Sequence, residues 1–244
     1  MLYIVATPIG NLDDMTRRAV EVLRQADVIA CEDTRRTRIL LQHFEIPVPE
    51  SFLSYREHNE ERAGEHLMNL LAGGKTVALC TDGGYPGVSD PGYRLLRLAV
   101  ERGVEFHVIP GASAVPVALL SSGLSTSSYT FKGYPPRRPG VLARFFDEEK
   151  DKPHTLVIFE SPFRVGKTLE AALAVLGNRE AAVCIELTKK FERVSRGYLG
   201  ELVTQFVGQK IKGEVTIVIA GNNPKFSRDA DEGPEDGGQD KCSD

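Results

Sequence analysis

The stretch Lys75–Gly92, KTVALCTDGGYPGVSDPG, decides how the chain is built. Its first part, Lys75 to Cys80, reads as a strand buried on both faces, because an apolar run follows directly on the helix-stopping pair Gly73–Gly74. Its second part, Thr81 to Gly92, holds four glycines, two prolines and two aspartates in twelve residues. Glycine permits positive φ and close backbone approach, and proline stiffens the turn. The combination suits a pocket walled by main chain, where amides and carbonyls meet a ligand. Asp82 and Asp90 are placed to accept hydrogen bonds or to cap the following helix. The loop lacks the glycine-lysine-serine ending of a phosphate loop, and nothing like a dinucleotide fingerprint follows the first strand.

Outward from this stretch, strands and helices alternate. LYIVAT, DVIACE, SFLSY, TVALC and EFHVIP read as strands. Met15–Ala26, Thr34–Phe44, NEERAGEHLMNLLAGG and YRLLRLAVERG have apolar residues at helical spacing. Such alternation predicts a mainly parallel sheet covered by helices. After PGAS (residues 110–113) a second unit begins, with helix AVPVALLSSG, a segment YTFKGYPP, a basic helix to about Lys150, and strand HTLVIFE. Helix RVGKTLEAALAVLG, strand AAVCIE, a polar stretch, helix YLGELVTQFVGQ and strand GEVTIVIAG complete it. The expectation is an α/β fold in two α/β domains, 1–112 and 113–222, followed by an acidic tail at 223–244. The last 18 residues carry seven acids and two bases and no large apolar side chain, which predicts disorder there and leaves the rest of the chain at net +1 out of an overall −4.

No apolar run approaches the ~20 residues of a membrane span, and the apolar N-terminus reads as a first strand rather than a signal peptide. Cys31, Cys80, Cys184 and Cys242 have no metal spacing and are expected to be reduced thiols of a cytoplasmic protein. Five scattered histidines offer no metal site, and no serine sits in a nucleophile elbow.

In open α/β sheets ligands bind beyond the carboxyl ends of the strands. TPIGN, CEDTRR, TDGGYPGVSDPG, PGAS, ESPFR and ELTKKFE all follow a strand there, which predicts a shared cleft between the two domains. CEDTRRTR sets Glu32 and Asp33 beside Arg35 and Arg36, as helix capping with surface ion pairs or as a basic lip for a phosphate backbone. FKGYPPRRPGVLARFF mixes Phe131 and Tyr134 with Lys132, Arg137, Arg138 and Arg144, a composition suited to stacking on bases and pairing with phosphates or to an ordinary surface loop. ELTKKFERVSRG places Lys189, Lys190 and Glu192 just past a strand end.

Eight segments, YIVATPIGNLDD, CEDTRRT, TDGGYPGVSDPG, VIPGASA, FKGYPPR, IFESPFR, ELTKKFE and KGEVTIVI, resemble in order the ribosomal small-subunit methyltransferase I family of the tetrapyrrole methylase superfamily, over residues 2–221. That resemblance implies a cytoplasmic homodimer that uses S-adenosyl-L-methionine to methylate the ribose 2′-hydroxyl of cytidine 1402 in bacterial 16S rRNA. It also implies cofactor contacts at Pro8, Gly83, Gly84, Tyr85, Val88, Ser113, Ala114, Phe163, Leu187 and Glu214. Two positions depart from the family pattern. Tyr85 is bulkier than the usual residue of DGGYPG, and Phe163 replaces a usual histidine, which argues against an imidazole base there. A 2′-hydroxyl is a weak acid, so a base or a well-placed cation is expected. Lys189 is the candidate, oriented by Glu192 or Glu32, with Arg35, Arg36, Arg137, Arg138 and Lys190 holding RNA phosphates. The alternatives are a superfamily methyltransferase acting on a tetrapyrrole or a protein, and a module that binds S-adenosylmethionine or RNA without chemistry.

Overall fold

The computed structural model describes residues 1–223 and 226–228. The chain divides into two compact units, Met1–Val117 with Glu186–Glu192, and Ala118–Ile185 with the chain from Arg193 onward.

The first unit is a parallel five-stranded sheet. Strands β1 (Leu2–Val5), β2 (Val28–Cys31), β3 (Ser51–Ser54), β4 (Val77–Cys80) and β5 (Phe106–Ile109) lie in the order β3-β2-β4-β1-β5. Alternate side chains enter two separate cores. Val5, Ile29, Cys31, Ala78 and Cys80 pack with Ala19 and Leu23 of α1 (Arg17–Gln25) and Leu40 and Leu41 of α2 (Thr34–His43). Leu2, Ile4, Val28, Ala30, Val77 and Leu79 pack with Leu67, Met68 and Leu71 of α3 (Glu60–Ala72) and Leu95 and Ala99 of α4 (Tyr93–Glu101). Helices on both faces explain why the strands read as unbroken apolar runs rather than alternating ones. Each fully buried leucine or isoleucine contributes about 1.5–3 kcal/mol. Helix starts are set locally: Thr16 Oγ1 accepts the Ala19 N–H at 3.2 Å, and the Asp33 carboxylate accepts the Arg35 N–H at 2.9 Å.

The second unit is a mixed sheet. Helix α5 (Ala114–Ser122) precedes β6 (Tyr129–Phe131), α6 (Pro139–Asp147), β7 (Thr155–Glu160), α7 (Val165–Leu176) and β8 (Asn178–Ile185). Then come β9 (Arg193–Tyr198), α8 (Leu199–Phe206), β10 (Val215–Ile219) and β11 (Ser227–Arg228). The order is β11-β8-β10-β7-β6, with β9 paired to β8. Strand β10 runs antiparallel to both β7 and β8, and the β6–β7 pair is parallel. Phe146, Leu169, Leu202, Phe206 and Ile217 centre its core.

The strand-and-helix order expected from the alternation is present, and the first sheet is parallel. The second is not, because β10 inserts between β7 and β8 in the opposite sense. The polar stretch after β8 contains β9, whose half-exposed residues carry too few apolar side chains to announce a strand. Cys31, Cys80 and Cys184 are buried thiols outside any disulfide. Contact with the Cys31 thiol and burial together push the Cys80 thiol well up, which keeps it inert. Cys242 and the tail from 229 onward lie outside the described residues, whereas Ser227–Arg228 pairs with Asn178–Arg179. Among the described residues no helix is long and apolar enough to cross a membrane, and no group of His, Cys, Asp and Glu could hold a metal ion.

Candidate active site

Loops after two neighbouring strands of the first sheet, with helix α2 that follows a third, build one cavity. Past β1 the chain runs through Thr7–Gly10, and past β4 through Thr81–Gly84. Thr7 and Gly84 exchange two backbone hydrogen bonds, each 2.9 Å, and Thr7 Oγ1 donates to the Thr81 carbonyl at 3.0 Å. Gly84 has φ +84°, a conformation that favours glycine, and a Cβ on Gly83 would stand a tight 3.3 Å from the Pro8 carbonyl oxygen where the loops close on each other. The cavity is about 380 Å³; Pro8, Ile9, Gly10, Leu40, Arg36, Asp82 and Lys189 are among its lining residues.

Charges at its rim are paired. Asp82 accepts the Asp33 N–H at 3.1 Å and binds Arg36 at 3.0 Å. Arg35 forms a two-point pair with Asp33, at 2.6 and 3.0 Å, and its side-chain and backbone hydrogen bonds hold the Asp33 carboxyl well below the usual carboxylate range. Glu32 accepts the Thr81 hydroxyl at 2.8 Å. Capping and ion pairing, the first reading of CEDTRRTR, is what Asp33 and Asp82 show, and the paired arginines remain largely exposed.

Lys189 reaches this cavity from the far end of the sequence. Glu186 and Thr188 adopt φ of +53° and +64°, unfavourable for residues with a Cβ. The bend is held by contacts. Thr188 Oγ1 accepts the Asn11 N–H at 3.1 Å, and the Glu192 carboxylate accepts the Thr188 N–H at 2.6 Å. A Cβ on Gly10 would overlap Lys189 Cγ and Thr188 Oγ1, so Gly10 admits this segment. The Lys189 ammonium pairs with Glu186 at 2.8 Å. The Glu192 carboxylate binds the Thr188 backbone and the Glu32 carboxylate the Thr81 hydroxyl. Glu186, three residues before Lys189, was not among the expected partners, because the bend that turns it toward Lys189 leaves no signal in residue type. Lys190 is exposed, with its ammonium 5.6 Å from the Phe191 ring.

The other expected residues are distributed more widely. The Tyr85 hydroxyl accepts the Gly111 N–H at 2.9 Å, so the bulky ring is anchored to the loop after β5. Val88 is 42% exposed and outside the cavity lining, as are the half-buried Ser113 and Ala114; Leu187 is buried. In the second unit, Phe163 is 88% exposed and Glu214 is exposed directly before β10. There the wholly buried Glu160 carboxylate pairs with Arg164 at 3.3 Å, and Arg164 donates to the Pro135 and Pro136 carbonyls at 3.2 and 2.7 Å. This ties the turn after β7 to the loop that presents Arg137 and Arg138, which are exposed and without an ion pair among the described residues. Lys132, read with the same basic group, is instead bound by Glu148 and Glu149 at 3.2 and 3.0 Å.

Comparison with known proteins agrees with this architecture. The family model for Tetrapyrrole (Corrin/Porphyrin) Methylases matches residues 1–203. A Ribosomal RNA small subunit methyltransferase I from Halalkalibacterium halodurans is 46% identical over 92% of this chain and 77% of its own. The protein of that name from Bacillus subtilis is 39% identical over 91% of this chain and 76% of its own. Among solved structures, diphthine synthase superposes with a TM-score of 0.66 at 17% identity, covering 90% of this chain and 89% of that one. Uroporphyrin-III-C-methyltransferase from Thermus thermophilus gives 0.63 at 20% identity, covering 89% and 93%. The two latter likenesses speak to the fold. The ordered strand-end loops, the matched family model and the relatives covering nine-tenths of the chain together place this protein in the ribosomal RNA small subunit methyltransferase I family of the tetrapyrrole methylases.

Proposed function

We propose that this chain transfers a methyl group from S-adenosyl-L-methionine to the ribose 2′-hydroxyl of a cytidine in the small-subunit ribosomal RNA, cytidine 1402 of 16S rRNA. The observation that carries it is 46% identity across 92% of the chain to a ribosomal RNA small subunit methyltransferase I. The first-unit cavity fits the cofactor chemically. Its volume of about 380 Å³ lies in the range of small-molecule sites. Ile9, Leu12, Ile39 and Leu40 offer apolar surface to a base, the Asp82 carboxylate offers an anion to a cationic ligand, and Gly10 adds no side chain. Pro8, which lines the cavity, would hold the cofactor by main chain; Gly83 and Gly84 lie outside that lining and enter the reading through family resemblance. Tyr85, Val88, Ser113, Ala114, Phe163, Leu187 and Glu214 belong to the same reading through family resemblance.

When bound, the cofactor supplies an electrophilic methyl whose bonding pair returns to sulfur as the new carbon–oxygen bond forms. The chain's task is to hold the hydroxyl in line and to manage its proton. Lys189 lines the cavity, and its ammonium stabilises the oxygen that gains negative charge, while Glu186, 2.8 Å from that ammonium, takes the proton. Exposed ion pairs are worth about 0–1 kcal/mol, so RNA phosphates can displace Asp33 and Asp82 from Arg35 and Arg36. Arg137, Arg138 and Lys190 complete the basic surface. Cytoplasmic location and a homodimer form part of the proposal, the latter checked by light scattering.

Incubation with labelled cofactor and under-methylated small subunits, followed by primer extension, tests the reading. Label at a single cytidine ribose is expected. Label only on protein or tetrapyrrole, or cofactor binding without transfer, would overturn it.

A further inference from the structure

A second hollow lies beside the candidate cavity in the same unit, and no role assigned above uses it. Its volume is about 530 Å³, and its lining includes Glu32, Arg56, Glu57, Glu60, Tyr93 and Arg94. Glu32 joins the two spaces: it lines this hollow while its carboxylate accepts the hydroxyl of Thr81, which lines the first cavity. The walls are held from behind. Arg56 Nε donates to the Glu32 carbonyl at 2.8 Å, and the buried Glu60 carboxylate accepts the Gly92 N–H at 2.8 Å and faces Arg94 at 3.6 Å. Tyr93 is 65% exposed and makes no ring contact among the described residues. Glu57 is an exposed carboxylate without a hydrogen bond or ion pair there.

An unstacked aromatic ring, an unpaired carboxylate and a guanidinium with spare N–H groups form a set that matches one ligand class. We propose that this hollow receives the base of the nucleotide being methylated, an inference that rests on the function proposed above. Single-stranded RNA bases are recognised by stacking on aromatic side chains and hydrogen bonding at their Watson–Crick edge. Tyr93 supplies the stack. The cytosine amino group donates to Glu57, and the cytosine N3 and O2 accept from Arg56. Uracil presents an oxygen where cytosine presents the amino group, so it would set two acceptors against each other at Glu57. Reading a base here while its ribose enters the neighbouring cavity requires the nucleotide to leave its stack, as enzymes acting on nucleotides commonly require.

The test compares wild type, Tyr93→Ala, Tyr93→Phe and Glu57→Gln on under-methylated small subunits carrying cytidine or uridine at the target, with cofactor affinity measured separately by calorimetry. Tyr93→Ala is expected to lower kcat/KM for RNA about tenfold, the loss of one base–aromatic stack, with cofactor affinity unchanged, and Tyr93→Phe to restore most of that loss. Glu57→Gln is expected to reduce the preference for cytidine over uridine about tenfold. Unchanged kcat/KM in Tyr93→Ala overturns the inference while leaving the proposed function intact, and so does unchanged base preference in Glu57→Gln. Weakened cofactor binding in Tyr93→Ala also overturns it, because the hollow would then belong to the cofactor. A wild-type protein that transfers no methyl to RNA overturns the proposed function and this inference together.

Discussion

At the scale of single residues, the proposed site rests on one ammonium and on one missing Cβ. Lys189→Ala removes the charge that lines the cavity, and turnover should fall by about 10²–10⁴-fold with cofactor affinity within about twofold of wild type, as single-turnover kinetics and calorimetry would record. Gly10→Ala acts differently. Its methyl would collide with Lys189 Cγ and Thr188 Oγ1, forcing out a segment already bent through two positive-φ residues. A destabilisation of about 1–3 kcal/mol is expected, read as a lower midpoint in urea, together with lost activity. Arg164→Ala leaves the buried Glu160 carboxylate with hydrogen bonds from the Ser161 N–H and the Thr168 hydroxyl but without the Arg164 counter-charge, and should cost about 3 kcal/mol, whereas Glu160→Gln with Arg164 kept should cost less.

At the scale of elements, the end of α6 and the strand β6 are joined by charge. Lys132, directly after β6, holds Glu148 and Glu149, and His154 meets Glu149 at 3.1 Å. Burial alone would raise the Glu149 carboxyl, but hydrogen bonds from Lys132 and His154 outweigh it and leave it below its ordinary value. A depressed carboxylate contributes stability above its unfolded pKa of about 4.3, and that contribution is lost as pH falls through the lower folded value. Thermal midpoints between pH 3 and 6 should show this acid loss in the wild type. In Lys132→Met the loss should shrink, because His154 is then the partner left to offset burial. The same elements show what periodicity could convey: α1 to α4 were legible from apolar spacing and from the end signal at Gly73–Gly74. Strand β9 was not, since its exposed face removes the contrast on which a pattern depends.

At the scale of the whole molecule, the basic residues assigned to RNA lie in both units, on Arg35, Arg36 and Lys190 in one and Arg137 and Arg138 in the other. If they neutralise phosphates, RNA affinity should fall steeply with salt. The slope of log K against log salt should lessen by about 1.5 in a double Arg137→Ala, Arg138→Ala variant, while cofactor affinity stays constant. A salt-independent affinity would argue against a phosphate interface.

The sequence by itself determined the alternation of strands and helices, the parallel first sheet and the placing of every unusual loop at a strand's carboxyl end. These are local properties, written in spacing, in glycine and proline content and in apolar runs, and Gly83 and Gly84 were legible for that reason. Only the tertiary structure decided that Glu186 pairs with Lys189 across a bend pinned to Asn11, that Tyr85 folds onto Gly111, and that Arg56, Glu57 and Tyr93 line one hollow. Each depends on contacts between residues distant in the chain, such as Asn11 with Thr188, which are 177 positions apart. No local pattern records such a meeting, because its geometry follows from how the sheet brings loop ends together and not from the loops' own composition.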